Sequence, residues 1–296
     1  MISTSNFLPL PDAEPSHVAK ISRGARLYLA GSRSLSWFRL SKPFAGLAWR
    51  VQALWGAIWL GLLDAERLNE ITRFYYMGMS GFDEEEFNIR QGLWSWEATA
   101  IRNYLRGHRR VLVAGAGGGR EVIALARLGH EVTSFDFSTH LTAACRRNLQ
   151  KAGCTARVLD APADKFPDGL DVYDALLIGR GFYHHIPRRK RRVEFLKAGR
   201  DRLESGAPIL LSDFFTRSAE SRFYQRTQVI ANLLRLLRNQ KGNVELGDWL
   251  TNCMQHAFTR EEIESEFSAA GILLQGFAVS PFSEESRLAH AVGRTL

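Results

Sequence analysis

A glycine-rich segment, GAGGG, limits more than any other feature what this chain can fold into. It follows directly on the apolar run 111–114 and places Gly115, Gly117 and Gly119 at alternate positions. Glycine has no Cβ atom, so it allows unusual backbone conformations and lets a ligand lie against the main chain. The helical stretch that begins near position 118 adds free N–H groups, which favour an anionic group at its N-terminus. The segment therefore predicts a strand, a tight turn and a helix around a ligand site.

A single acidic residue ends the next strand-like run. Asp136 lies roughly twenty residues after the turn, where a carboxylate can accept hydrogen bonds from ribose hydroxyls. A dinucleotide-binding turn would have its third glycine at position 120, but this chain has Arg120 there. The spacing therefore favours a ligand with a ribose but no pyrophosphate, and a nicotinamide oxidoreductase is the least favoured function.

Strand-like and helical runs alternate after position 110. The strand-like runs lie at 111–114, 131–136, 155–159, 172–178 and 208–214, and the helical runs lie at 118–128, 138–152 and 188–204. Two further strand candidates lie at 272–279 and 288–293. A capping box of Thr259 and Glu262 opens the helix before them, which ends at Gly271. Alternation of this kind predicts a parallel sheet with helices on both faces.

The N-terminal third of the chain has a different pattern. Residues 1–25 mix proline, serine and charge without a period, which predicts a loose lead-in. Residues 26–106 have helical spacing and predict a helical extension that serves as a lid. The α/β domain is expected over 107–296, with a long, mostly helical insert at 217–258.

Basic residues are concentrated in one block. The chain has a formal net charge of +8, and eight Lys or Arg residues lie between positions 188 and 202. Such a run could contact phosphates, but it falls where a helix should follow a strand. The preferred interpretation is a solvated helix face, so nucleic acid is not the favoured partner.

Cysteine spacing and apolar runs exclude other classes. The three cysteines show no CxxC spacing, so neither a zinc site nor a disulfide framework is predicted, and no other metal is expected. The N-terminal residues lack the pattern of a secretory signal, and the predicted compartment is the cytoplasm. The most apolar run, 51–63, is too short to cross a bilayer. Because Arg39, Lys42 and Arg50 lie near it, attachment to a membrane surface stays a less favoured alternative.

Five segments, in this order, resemble the motifs of the class I S-adenosylmethionine-dependent methyltransferases. They are VLVAGAGGGRE, VTSFDFS, VLDAPADKFP, YDALLIGRGFYHHIP and HAFTREEIESEFSAAGI. The resemblance covers about residues 86–294 and implies an α/β fold, a Rossmann-like doubly wound sheet of seven strands with the last strand antiparallel. It also implies an enzyme that transfers a methyl group in line from S-adenosylmethionine to an O, N or S atom of a small molecule.

The resemblance also implies a set of cofactor contacts. Gly115, Gly117 and Gly119 would border the methionine part, Asp136 the ribose with Phe137 next to it, Asp160 and Ala161 the adenine, and Gly179 the sulfonium. The chain departs from the family in one respect, because the acidic residue usual two positions before the first glycine is Val113 here. Its role toward the cofactor's ammonium group must come from elsewhere, with Glu121 and Tyr76 as candidates.

The candidate catalytic and acceptor-binding residues lie near the end of the fourth strand-like run and in the helical extension. A base is needed only for hydroxyl or protonated amine acceptors, and His185, or its neighbour His184, is the candidate for it. A packing histidine is an equal alternative. Aromatic residues are expected to line the acceptor pocket, although they would also suit a plain core: Tyr75, Tyr76, Trp96 and Tyr183.

Two other functions stay open on the sequence alone. RNA or protein methylation would use the basic block at 188–202, and its substrate binding would depend strongly on salt. A non-catalytic membrane-surface protein would keep a degenerate cofactor fold, which would suit Val113 and the apolar segment 43–63.

Overall fold

The structure is a computed structural model, and it describes residues 21–37, 45–77, 81–218, 220–279 and 288–296. Most of the predicted lead-in, residues 1–20, lies outside the described residues, and a helix begins at Arg23. The described chain forms two compact units. Apart from the gaps just given, the first unit contains 21–77, 185–188 and 217–257, and the second contains 81–184, 189–216 and 258–296.

Helices and strands alternate from residue 110 onward, as the sequence predicts. In chain order the helices are α1 (Arg23–Trp37), α2 (Ala45–Leu62), α3 (Ala65–Met77), α4 (Ser95–Tyr104), α5 (Arg120–Arg127), α6 (Thr139–Lys151), α7 (Arg189–Arg200), α8 (Arg222–Leu237) and α9 (Arg260–Ala269). The strands are β1 (Arg110–Ala114), β2 (Glu131–Asp136), β3 (Arg157–Asp160), β4 (Ala175–Ile178), β5 (Pro208–Phe215), β6 (Asp248–Leu250), β7 (Met254–His256), β8 (Ile272–Val279) and β9 (Leu288–Thr295). A π-helical segment (Glu86–Gln91) precedes α4, and a 3-10 turn (Tyr183–His185) follows β4.

The second unit is built on a seven-stranded sheet with the strand order β3-β2-β1-β4-β5-β9-β8. Strands β1 to β5 run parallel, and β9 pairs antiparallel with both β5 and β8. The predicted doubly wound sheet with its antiparallel last strand is confirmed. The strand order reverses between β1 and β4, and in sheets of this kind a ligand binds at the carboxyl edge beside that reversal. Residues 111–114 of β1 are fully buried, because layers on both faces of the sheet cover a parallel strand.

The signals that start and end α9 work as the sequence predicts. The hydroxyl of Thr259 accepts the N–H of Glu262 at 3.3 Å, and the Glu262 carboxylate accepts the N–H of Thr259 at 2.8 Å. Gly271, at φ 73°, has the left-handed conformation in which helices often end. These contacts fix the helix that precedes the last two strands.

The first unit contains α1, α2, α3 and α8 together with a two-stranded ribbon of β6 and β7. The rings of Trp49 and Phe223 stack at 5.6 Å, and a Cβ atom at Gly61 would lie 2.6 Å from the carbonyl oxygen of Ala231. Helices α2 and α8 therefore pack closely. The expectation that residues 217–258 are mostly helical is only partly right, because β6 and β7 form an antiparallel hairpin there. None of the helices in the described part of the chain has the length and hydropathy that a membrane span requires.

The helix predicted over the basic block is α7, but most of its arginines bind within the protein. Arg192 is 1% exposed and donates to both carboxylate oxygens of Glu266, which also accepts the hydroxyl of Tyr183 at 2.6 Å. Other basic residues of the block contact protein oxygens as well: Arg188 with Asn243, Arg189 with Ser265, Arg191 with Asp164, Arg200 with Ala270 and Arg202 with Leu170. The interpretation as a solvated face suits the exposed Arg189, Lys190 and Lys197, but not the buried Arg192.

Replacing Glu266 by glutamine should lower the free energy of unfolding by about 3 kcal/mol, because the buried charge of Arg192 then lacks its counterion. Urea unfolding followed by circular dichroism measures this change. Glu264→Gln is the matched control, since Glu264 lies exposed on the same helix, and it should change the stability by less than about 0.5 kcal/mol. Equal losses in the two variants would contradict the role of the buried pair.

Candidate functional site

The glycine turn after β1 has one open position. Gly115, Gly117 and Gly119 have φ values of 83°, 51° and 105°, in the left-handed region that favours glycine. A Cβ atom would lie 2.7 Å from Phe182 at Gly115 and 3.0 Å from the Cys145 sulfur at Gly119, but at Gly117 it would meet nothing within 4 Å. Protein atoms therefore close the turn on both sides of Gly117 and leave space above its main chain.

The carboxylate of Asp136 is bound to the main chain of this turn. The N–H of Gly117 donates to Oδ2 at 3.0 Å, and the N–H of Ser138 donates to Oδ1 at 2.9 Å. Asp136 is 4% exposed, and burial raises its pKa to about 6 although these N–H groups act to lower it. The N–H of Phe137 also donates to the carboxylate, so one of its four acceptor positions is left for a further donor. The N-cap of α6 is Ser138, whose hydroxyl accepts the N–H of Leu141, so Asp136 is not needed as that cap.

The neighbouring strand brings further predicted residues to the same edge. Asp160 pairs in register with Asp136, and the N–H of Ala161 donates to the Asp136 carbonyl oxygen at 2.9 Å. The carboxylate of Asp160 is half-exposed, and the hydroxyl of Thr142 donates to it. Phe137, which follows Asp136, is half-buried. The adenine and ribose contacts that the resemblance implies therefore lie side by side on β2 and β3.

Gly179 lies against the glycine turn from the side of β4. Its N–H donates to the carbonyl oxygen of Ala114 at 2.7 Å, and a Cβ atom at Gly179 would lie 2.6 Å from the carbonyl oxygen of Gly115. The two strand ends can approach this closely only because position 179 has no side chain. The structure thus gathers along one sheet edge the whole predicted cofactor set: Gly115, Gly117, Gly119, Asp136, Phe137, Asp160, Ala161 and Gly179.

Two asparagines that the sequence analysis missed secure the loop before the π-helical segment. The side-chain amide of Asn88 donates to the carbonyl oxygen of Phe82 at 2.9 Å, and that of Asn148 donates to Gly118 at 2.9 Å and Asp83 at 3.2 Å. A Cβ atom at Gly118 would lie 2.1 Å from the Phe82 carbonyl oxygen, so the loop lies directly against the turn. No local pattern marks these contacts, because Asn148 acts from a different helix.

Arg120, which stands where a dinucleotide-binding turn has its third glycine, is the centre of a buried ion network. It is 2% exposed and donates to both carboxylate oxygens of Glu97 and, at 2.7 Å, to Oε1 of Glu121. Burial by itself lowers the pKa of Arg120, but the charges of Glu121 and Glu97 raise it above its usual value. The network therefore binds α4 to the first turn of α5.

A second guanidinium extends this network toward the ends of β4 and β5. The main-chain N–H of Arg180 donates to Oε1 of Glu121 at 3.2 Å, and the Arg180 guanidinium donates to Oδ2 of Asp213 at 2.7 Å. The guanidinium groups of Arg180 and Arg120 lie 4.0 and 4.3 Å from the centroid of the Trp94 ring. Burial raises the pKa of Asp213 to about 6, although Arg180 acts to lower it.

The network has one negative charge in excess. Three carboxylates, those of Glu97, Glu121 and Asp213, face two guanidiniums, those of Arg120 and Arg180. Oδ1 of Asp213 is enclosed without a hydrogen bond from the described residues. Oε2 of Glu121 likewise has none there, but it is not among the fully enclosed polar atoms. The described residues therefore leave the Glu121 carboxylate without a cation of its own.

The two predicted catalytic histidines have different surroundings. In the first unit, Nδ1 of His185 lies 2.6 Å from the Met254 carbonyl oxygen and must carry the donated proton, so Nε2 accepts the Tyr76 hydroxyl at 2.7 Å. Burial lowers the pKa of His185 to about 4, which keeps the ring neutral at physiological pH. In the second unit, the His184 ring packs on the Phe215 ring, with 4.7 Å between the ring centroids. The catalytic role of either histidine stays a prediction.

The aromatic residues predicted to line an acceptor pocket are used in three ways. Tyr75 and Tyr76 pack edge to face at 5.3 Å in the first unit. Trp96 stacks on His290 at 5.0 Å in the second unit. Tyr183 is fully buried there, and its hydroxyl donates within the core, so we do not retain it as an acceptor contact. For Tyr75, Tyr76 and Trp96 the acceptor-binding role stays a prediction.

One cluster of possible metal ligands lies in the described part of the first unit. Glu245, Asp248 and His256 present ligand atoms within 4.8 Å of one another. His256 Nδ1 lies 2.7 Å from Oδ1 of Asp248, and Arg188 lies 3.8 Å from Oδ2. A cation of the protein thus already faces the carboxylate that a metal ion would need.

Comparisons with known proteins agree with this geometry. Residues 111–206 match the family model described as a methyltransferase domain. Two solved structures resemble the chain at a TM-score of 0.55: a S-adenosylmethionine-dependent methyltransferase from Methanosarcina mazei (20% identity, 69% of this chain and 99% of that one) and the 1,6-didemethyltoxoflavin-N1-methyltransferase of Burkholderia thailandensis (15% identity, 79% and 91%). A methyltransferase from Streptomyces caelestis follows at 0.50 (17% identity, 67% and 88%). No curated protein sequence matches the chain significantly.

The matched segment begins at β1 and ends before β5, so it contains the glycine turn, Asp136, Asp160 and Gly179. The seven-stranded sheet around it has the fold of the solved methyltransferases. Residues 111–206 of the chain thus form a methyltransferase domain, and the sheet around them has the fold of solved enzymes that use S-adenosylmethionine as cofactor.

Proposed function

We propose that the protein transfers the methyl group of S-adenosylmethionine to an O, N or S atom of a small molecule. The observation that carries the proposal is the open space above Gly117 next to the buried carboxylate of Asp136. Bound there, the cofactor would supply a methyl group that the positive sulfur already activates. The protein's main task is then to align the acceptor and exclude water.

The residues of the sheet edge fit this cofactor. Asp136 keeps an acceptor position for a ribose hydroxyl, and the main chain at Gly117 leaves room for the methionine part. Asp160 and Ala161 are the proposed neighbours of the adenine, with Phe137 beside the ribose. Gly179 is the proposed contact below the sulfonium, since its main chain lies directly against the glycine turn.

We assign the ammonium-binding role that Val113 lacks to Glu121 rather than Tyr76. The strand order places Asp136, the glycine turn and Arg180 in succession along the edge, so a ligand with its ribose at β2 extends toward β4. Glu121 is bound to the N–H of Arg180 at this end and has one oxygen open. The Tyr76 hydroxyl, in the first unit, already donates to His185.

A small molecule is the acceptor class that the observations favour. The Burkholderia protein is described with bound 1,6-didemethyltoxoflavin and S-adenosylhomocysteine. RNA or an acidic protein would need the basic block at 188–202. Most arginines of this block donate hydrogen bonds to oxygens of the protein itself. For an acceptor that must lose a proton, His185 is proposed to act as the base through the Tyr76 hydroxyl. The proposed compartment is the cytoplasm.

Label from S-adenosylmethionine with an isotopic methyl group should enter the small-molecule filtrate of a cell extract, not its RNA or protein. The expected filtrate label is at least about ten times that obtained with Asp136→Ala, which removes the ribose acceptor. Label found chiefly in RNA or protein would overturn the acceptor class.

His185→Gln should slow the labelling while leaving S-adenosylhomocysteine affinity unchanged, and an equal loss of affinity would remove its proposed role.

The affinity for S-adenosylhomocysteine should fall about ten-fold between pH 7 and pH 5, as Asp136 takes up a proton and loses an acceptor for a ribose hydroxyl. The pKa of about 6 places the change in this window, because the group is ionised above it and neutral below it. Titration calorimetry at several pH values measures the effect. Asp136→Asn should bind weakly with no such pH dependence, and a variant as pH-dependent as the wild type would refute the assignment.

Glu121→Gln should weaken S-adenosylhomocysteine binding about ten-fold, because the ammonium group loses a charge-assisted hydrogen bond. Binding of 5′-methylthioadenosine, which lacks the amino-acid part, should change less than about two-fold. Glu131→Gln is the matched control, since Glu131 is exposed at the start of β2. Val113→Asp added to Glu121→Gln should restore the preference for S-adenosylhomocysteine. Equal weakening for both ligands would mean that Glu121 only supports the turn, whereas a wild type that binds neither would refute the cofactor site itself.

A further inference from the structure

Exposed apolar side chains are concentrated on two helices of the first unit. Thirteen large hydrophobic side chains are strongly exposed in the described part of the chain, and seven of them lie on α2 and α8. They are Leu47, Val51 and Leu54 on α2, and Val229, Leu233, Leu236 and Leu237 on α8, with exposures from 41% to 77%. Single exposed leucines need no explanation, but a concentration like this marks an interaction surface.

The two rows lie on neighbouring helices. Trp49 stacks on Phe223 near the start of both helices, and the Gln240 side chain donates to the Leu62 carbonyl oxygen at their far ends, so α2 and α8 run in the same direction. Spacings of three and four residues place each row on one face of its helix. The outward faces of α2 and α8 together define the α2/α8 face.

The charges on the two helices themselves are all positive, and the nearest exposed acids along the chain are Asp64 after α2 and Glu220 before α8. Neither α2 nor α8 contains an aspartate or glutamate. Four arginines and a lysine are exposed on these helices or directly after α8: Arg50, Arg222, Arg226, Arg238 and Lys241. Arg235 is buried instead, where it donates to the carbonyl oxygens of Leu63 and Gly242. An acidic partner would therefore meet no like charge on either helix.

We propose that the α2/α8 face docks on an anionic membrane surface, with its leucines and valines at the level of the lipid headgroups and its basic side chains on lipid phosphates. A charged rim around apolar residues on an interfacial helix is the pattern of peripheral binding without a span. The long arginine stems can cover apolar surface while their guanidiniums reach the phosphates. A second copy of the chain fits less well, because a two-fold contact would set these basic residues against each other. The inference does not depend on the proposed methyl acceptor.

Co-sedimentation of the full chain with lipid vesicles tests the proposal. With about one-third phosphatidylglycerol in phosphatidylcholine, the wild type should bind at least about ten times more tightly than to pure phosphatidylcholine, and raised salt should weaken the binding. Leu233→Glu with Leu237→Glu should lower binding about ten-fold, as should Arg222→Glu with Arg226→Glu. The matched controls are Leu128→Glu with Leu273→Glu, and Arg109→Glu with Lys190→Glu, because these side chains are exposed in the second unit.

Four results would overturn the proposal. They are no binding by the wild type, equal binding to neutral vesicles, equal loss in the control variants, and a dimer in light scattering that Leu233→Glu with Leu237→Glu separates. The last result would assign the face to a second copy of the chain. Circular dichroism and thermal unfolding show that each variant is folded, since the substituted residues of the α2/α8 face lie in the first unit and ligand binding in the second unit would not report on them.

Discussion

A carboxylate held out of water is costly unless hydrogen-bond donors surround it, and the ligand site depends on how Asp136 meets this condition. Three main-chain N–H groups reach its oxygens, and one of them comes from Gly117 in a left-handed conformation. Any other residue there would have a side chain in the space that a ligand needs. The glycine turn and the Asp136 carboxylate therefore hold each other in place through this hydrogen bond. The ends of β3 and β4 position the remaining contacts around them.

The parts of this arrangement that the sequence predicts are those with local causes. The runs of β2 and β5 follow from apolar periodicity, and the start of α9 follows from the Thr259–Glu262 box, whose partners lie three residues apart. The spacing of Gly117 and Asp136 is informative for a related reason. A strand, a turn and a helix of ordinary length bring these two positions to neighbouring strand ends.

Contacts between distant charged residues could not be predicted in the same way. Arg120 looks like a defect in a dinucleotide-binding motif, yet it is fully paired with Glu97, 23 residues earlier in the chain. Charge patterns along the chain do not show which side chains the fold buries, so neither this pair nor Asp213 was identified. The β6–β7 hairpin was missed for another reason, since three-residue strands are too short to show an alternating pattern.

Burial and pairing of charged side chains also decide how much of the net charge of +8 can act on a partner. The densest run of basic residues suggests a polyanion, but its arginines are bound to carboxylates and carbonyl oxygens of the protein, as Arg192 is to Glu266. A cation paired with a carboxylate, as Arg191 is with Asp164 and Arg192 with Glu266, contributes little to the attraction of a distant partner. The positive charge available to a partner is instead that of exposed residues such as Arg226 and Arg238, where no acid lies on the same helix. Burial and pairing, rather than the number of basic residues, therefore determine where the protein can meet an anionic surface.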